Sequence, residues 1–197
     1  MTRFFYDTEF LERGPFHPIN LISIGIVAED GREYYGVNGE VELTPIANHA
    51  WLVENVVPHL PLSLRYVPHV ALSGDTVYLP RLSWDEGNHE AMKPVRTRRQ
   101  LRDEVNQFLR SGDSQPELWA WYGAYDHVVL AQLFGTMADL PDGLPMWTND
   151  LKQELERVRP LLRLPQQVKD SHHPLADARW VRDSHRHLTA VLEEQQK

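Results

Sequence analysis

Apolar and polar positions alternate at the start of the chain and recur at helical spacing later. Residues 3 to 10, Arg3-Phe4-Phe5-Tyr6-Asp7-Thr8-Glu9-Phe10, read as a hydrophobic strand that carries two carboxylates at its end. Side chains on a strand point alternately to its two faces, so Asp7 and Glu9 share one. Residues 13 to 18 have turn composition, and the isoleucine-rich run from 19 to 29 predicts a buried central strand. Asp30-Gly31 suits a tight hairpin, with Tyr34 and Tyr35 on a return strand at 32 to 37. Three antiparallel strands therefore open the fold.

Helical periods follow. Thr44 reads as an N-cap with Pro45 at the first helical position, and Ile46, Ala50, Val53 and Val57 predict one helix ending before Pro58. A second helix over 97 to 110 turns Leu101, Val105, Phe108 and Leu109 to one face, with Gly112 just past its end. A strand at 117 to 121 and a helix at 125 to 134 come next. Leu151, Leu155 and Val158 mark a short helix after the cap candidates Thr148 and Asn149, and Leu175, Ala178, Val181, Leu188 and Val191 stripe a final helix over 174 to 194. Residues 60 to 95 break the rhythm with prolines and scattered aromatics, predicting an irregular insertion with a short hairpin around 77 to 79. It is read either as a lid or as a plain insertion. Strands first, then helices alternating with strand, predict one α/β domain over 1 to 197.

Composition narrows the chemistry. A chain of 197 residues with 42% hydrophobic content buries one good core. The absence of cysteine removes disulfides, zinc-thiolate sites and thiol nucleophiles. No apolar run approaches the roughly 20 residues that span a bilayer, and Asp7, Glu9 and Glu12 interrupt the region where a signal peptide is apolar; a cytoplasmic protein without a membrane partner is expected. The net charge of -8 argues against a broad cationic surface, although a site built of carboxylates contributes to that charge and draws cations to itself. Arg96, Arg98, Arg99 and Arg102 at the opening of the second helix read as a solvated face, with phosphate contact as the alternative.

Two carboxylates side by side stay ionised at neutral pH only with a cation or strong donor between them. Asp126 and Asp177 fall in the first turns of two predicted helices, and His172 lies in the loop feeding the second, placed to take a proton from water. The ordered set D-x-E, D, H-x4-D is what two-metal phosphodiester hydrolysis requires, since carboxylates are the hard ligands that Mg2+ or Mn2+ prefers.

In Asp7-Thr8-Glu9-Phe10, Gly123-Ala124-Tyr125-Asp126-His127 and His172-His173-Pro174-Leu175-Ala176-Asp177-Ala178 the chain resembles the DEDDh branch of 3′ to 5′ exonucleases. Leu21-Ile22-Ser23-Ile24-Gly25, Gly31-Arg32-Glu33-Tyr34-Tyr35 and Trp119-Ala120-Trp121 narrow that to the bacterial polyadenylate-specific 3′-exoribonuclease subgroup. The resemblance implies a ribonuclease-H-like mixed sheet of five strands, three antiparallel and then parallel, flanked by helices. It implies two divalent cations, Mg2+ or Mn2+, with Asp7 bridging both, Glu9 and Asp177 on one, and Asp126 reaching the second largely through water. His172 occupies the position of the general base, His173 being the alternative, and Phe10, Leu11 and Tyr125 the place of the terminal nucleotide. The implied partner is an RNA 3′ end, single-stranded or overhanging, with a homodimer left open. The rivals are a DNA-directed 3′ to 5′ exonuclease and an inactive RNA-binding module of the same fold. An aspartyl phosphatase fits less well, because that chemistry needs a second Asp where Glu9 stands.

Overall fold

A computed structural model describes residues 1–112, 115–158, 163–167 and 171–195. The order is β1 (Thr2–Leu11), β2 (Asn20–Ala28), β3 (Glu33–Asn38), α1 (Leu43–Ala47), α2 (Ala50–Asn55), a 3-10 turn (Val57–His59), β4 (Leu62–Val70) and β5 (Thr76–Trp84). Then come α3 (His89–Met92), β6 (Val95–Arg96), α4 (Arg98–Leu109), β7 (Pro116–Ala120), α5 (Ala124–Phe134), β8 (Asn149–Asp150), α6 (Leu151–Val158) and α7 (Pro174–Gln195). No helix among the described residues is long and apolar enough to cross a membrane.

One mixed sheet runs β6-β3-β2-β1-β7-β8, with β4 and β5 forming a separate pair. As predicted, β1, β2 and β3 are antiparallel and β7 joins β1 in parallel. The sheet has six strands, where five were expected, because β6 and β8 are two-residue strands too short to leave a period in the sequence. The architecture is α/β, compatible with a ribonuclease-H-like fold.

The alternation read from β1 organises both faces. Phe4 and Tyr6 pack with Ile24, Ile26 and Leu118 under Leu101, Val105 and Leu109 of α4 and Val129, Leu130 and Leu133 of α5. Phe5 lies on the opposite face against Val181 and Leu188 of α7, and Leu11 joins Ile22 and Val37 beneath Ile46, Leu52 and Val56. Asp7 and Glu9 fall on the α7 face, between Phe5 and Leu11. Gly25 pairs with Asp7 across β1 and β2. A Cβ on Gly25 would stand 2.3 Å from the backbone nitrogen of Leu175, so only glycine lets the start of α7 settle against the sheet beside the acidic pair.

Two expectations change. The predicted helix around Ile46 to Val57 is two short helices, with the first ending at Asn48 and the second capped by His49, whose Nδ1 accepts from the Leu52 N–H at 3.3 Å. The restart moves the buried stripe to Leu52 and Val56, leaving Ala50 exposed. Residues 60 to 95 are not irregular: β4 and β5 pair over nine residues each around a turn at Ala71 to Asp75, so the short hairpin expected at 77 to 79 is a long arm. By contrast the α4 start agrees with its pattern, Thr97 and Gln100 forming a reciprocal capping box.

Candidate active site

The central strand β1 outlasts its neighbour. β7 pairs with it only from Thr2 to Phe5, then the chain leaves the sheet through Trp121, Tyr122 and Gly123 into α5. Beyond Phe5 that edge of β1 is open. Asp126, in the first turn of α5, closes it: its Oδ1 accepts from the Thr8 N–H at 2.9 Å and from the Thr8 hydroxyl at 2.6 Å. Asp126 is thereby buried against the strand that carries Asp7 and Glu9.

Asp177 arrives from the other side. Seated in the first turn of α7 above Gly25, its Oδ2 accepts from the His172 N–H at 2.9 Å and its Oδ1 from the Gln167 side-chain amide. His172 has a φ of 69°, a left-handed conformation that costs a non-glycine residue about 1 to 3 kcal/mol and is held by that bond to Asp177. Among the described non-glycine residues only Tyr122, at φ 57°, shares it, and both border the same cavity. The His172 ring meets Trp51 of α2 edge-on, 4.8 Å between centroids. His173 turns away from this cavity, its ring meeting Tyr35 at 4.6 Å and a 33° tilt, with His59 at 5.8 Å.

The cavity holds about 420 Å³ and is bordered by Asp7, Glu9, Asp126, His172 and Asp177 together. Phe10 and Tyr125 stack at its rim, rings 5.9 Å apart and 8° from parallel. Leu11, expected with them at the substrate, follows Asp7 and Glu9 on their face of β1 but is buried in the core, where Ile46, Leu52 and Val56 of the α1–α2 region cover it. Its side chain does not reach the cavity. The sequence reading also missed Thr8, Gln167 and Trp51. Thr8 and Gln167 act through hydrogen bonds that only the folded chain creates, whereas Trp51 left a trace as an aromatic outside the predicted helical stripe.

Four carboxylates so placed repel one another, and among the described residues no lysine or arginine pairs with any of them. Burial, then Asp126, Asp177 and Glu9, hold the Asp7 carboxyl well above the usual range. Burial and the charges of Asp177 and Asp126 push Glu9 up to about 8. Asp126 is raised to about 6 by burial, which outweighs its two bonds from Thr8. Burial likewise raises Asp177 despite Gln167 and His172. Glu9, His172 and Asp177 can each aim a ligand atom within 4.8 Å of the others. An uncompensated cluster of hard oxygen donors fits divalent cations.

Residues 2–189 match the family described as the 3′-5′ exoribonuclease Rv2179c-like domain. The chain is 42% identical over 178 residues to the 3′-5′ exoribonuclease Rv2179c of Mycobacterium tuberculosis (strain ATCC 25618 / H37Rv), covering 90% of this chain and 87% of that protein. The similarity to the 3′-5′ exoribonuclease MT2234.1 of strain CDC 1551 / Oshkosh is the same, 42% over 178 residues, 90% and 87%.

Proposed function

Since the chain belongs to the 3′-5′ exoribonuclease Rv2179c-like family, we propose that its cavity shortens RNA from the 3′ end by metal-assisted phosphodiester hydrolysis of the DEDDh type. The observation that carries this is the meeting of Asp7, Glu9, Asp126, Asp177 and His172 around one aromatic-rimmed cavity. Asp7, Glu9, Asp126 and Asp177 hold the cations, and when bound, two Mg2+ or Mn2+ ions supply positive charge to the attacking and leaving oxygens.

The chain's own groups do the rest. His172 accepts a proton from the attacking water; the new P–O bond forms as the bond to the 3′-oxygen of the preceding nucleotide breaks, freeing a nucleoside monophosphate. The Asp177 bond to its backbone and the edge of Trp51 fix where that imidazole stands. Phe10 and Tyr125 offer aromatic faces for the terminal bases. Asp126 orders the strand through Thr8 as well as binding metal, so its loss disturbs both.

The test is purified protein with Mn2+ or Mg2+ and a 5′-labelled RNA bearing a single-stranded 3′ overhang. A ladder receding from the 3′ end is expected; RNA that is bound yet stays intact overturns the enzyme reading. Preferential shortening of a DNA overhang would replace RNA by DNA as the substrate.

A further inference from the structure

The β4–β5 arm carries arginines of a different standing from all those at the opening of α4. Arg96 pairs with Glu104 at 2.7 Å, Arg99 and Arg102 with Asp103, and the Arg98 guanidinium donates to the Gln132 carbonyl. Each arginine of that cluster thus has a partner within the fold. Arg65 and Arg81 are exposed and have neither an ion pair nor a hydrogen bond among the described residues. They are also direct cross-strand partners. Like charges in that register sit with Cβ atoms about 5 Å apart and destabilise the pair unless an anion lies between them.

The arm's position gives the anion a source. Its root, Leu62, Leu64, Leu82 and Trp84, packs on the core beneath α1 and α2. Tyr66 and Pro80 border α2 at Ala50 and Val53, and α2 turns Trp51 into the catalytic cavity. Just before the root, His59 meets His173, the neighbour of His172. Arg65 lies three residues out from Leu62, about 10 Å along a strand. Alternation turns the arginine face, with Val67 and Ser83 beside the pair, to the opposite side from Leu64, Tyr66, Pro80 and Leu82, so the pair lies on the outer side of an arm whose root is next to the site.

We propose that the Arg65–Arg81 face of the arm is a second, sequence-independent binding site for the phosphate backbone of RNA upstream of the 3′ end. The inference rests on the exoribonuclease reading for its ligand. A single-stranded polyanion suits it because phosphate bridges two opposed guanidiniums and the rest of the chain is strongly acidic, leaving this pair as an uncompensated cationic foothold.

The experiment compares R65Q/R81Q with the parent on a single-stranded RNA of about twelve nucleotides and on a dinucleotide, at salt between about 50 and 200 mM. The variant is expected to raise KM on the longer RNA, to leave the dinucleotide unchanged, and to lower the slope of log KM against log salt by about 1.4, so that its KM rises about sevenfold less than the parent's over that range. R65K/R81K keeps the charge and is expected to restore the slope. Unchanged KM on the longer RNA overturns the proposal, as does an equal change on both substrates or a shift in sedimentation, which would make the face a contact between copies. If the parent cleaves neither RNA, the exoribonuclease reading fails first, and anisotropy of the labelled longer RNA decides the arm by itself: equal affinity of parent and variant overturns it.

Discussion

The end of β1 and the β4–β5 arm both extend β structure beyond a core, and both gather charge of one sign. β1 is flanked on either side, and the two carboxylates it carries are enclosed with Asp126 of α5 and Asp177 of α7, which Thr8, Gln167 and the His172 backbone fix. The arm has only its own two strands, and its arginines stand in solvent. Enclosed charge acts at short range and must be answered by a counterion; exposed charge costs little and acts by attraction at a distance. Substitutions at the two places are therefore expected to differ in kind as well as in size.

The largest effect is expected at Asp7. Asp7→Asn should lower kcat by about a thousandfold or more on any substrate length, since it removes a charge held at the reacting centre. The same variant should raise the midpoint of thermal unfolding in metal-free protein, because it relieves repulsion from Asp126, Asp177 and Glu9. A variant that is both active and no more stable would undo the picture of an enclosed, uncompensated cluster. Next comes His172→Ala, expected to slow hydrolysis by about 100- to 1000-fold while calorimetry finds metal affinity nearly intact. His172 also lies within ligand distance of Glu9 and Asp177; a large loss of metal affinity would make it a ligand and remove it as the base.

The unequal legibility of the two regions has the same physical origin. β1 sits in a sheet with one helix layer on each face, so its alternation is forced and Asp7 and Glu9 could be placed together from sequence; Asp126 and Asp177 followed from helix starts. The burial of the Leu11 side chain was not legible, because it comes from α1 and α2 covering that end of the strand, and no period of β1 records it. The arm was missed because Pro68 and Pro80 argue against strands. They fall opposite Tyr78 and Tyr66, two registers of the same parity, and a two-stranded ribbon leaves every second N–H outward, where a missing donor breaks no ladder bond. A proline rule that holds within wide sheets fails at a ribbon with two edges. Thr8 and Gln167 were illegible for a third reason, as partners remote in sequence or outside any periodic element.

A smaller effect separates the regions by pH. Burial and the neighbouring carboxylates push Glu9 from 4.5 up to about 8 in the folded chain, and burial raises Asp126 from 3.8 to about 6. Folded protein therefore holds protons that unfolded protein has lost, and stability of the metal-free form should fall as pH rises from about 4 to about 8. Mg2+ or Mn2+ binds the ionised site and should reverse that slope, adding about 2.7 kcal/mol at a hundredfold excess over its Kd. Denaturant titrations at several pH values, with and without metal, measure both. R65Q/R81Q relieves its own like-charge pair and so raises both curves, but should leave their slopes unchanged, since neither arginine touches the cluster; a change of slope there would mean that the arm and the site are electrostatically one unit.

The finest comparison uses one glycine from each region. A Cβ at Gly25 would meet the Leu175 backbone at 2.3 Å, where neither partner has a flexible end to move, so Gly25→Ala must lift the start of α7 from the sheet. Overpacking of this kind costs about 1 to 3 kcal/mol. Because Asp177 and the His172 tether ride on that helix start, the cost should appear in kcat as well as in stability. At Gly74, in the turn of the arm, a Cβ has open space around it but φ is +89°. Gly74→Ala meets only left-handed strain, about 1 kcal/mol, and should leave dinucleotide hydrolysis untouched. Equal losses of activity in the two alanine variants would show that α7 is not seated through Gly25, and that the geometry of the carboxylates depends on the fold as a whole.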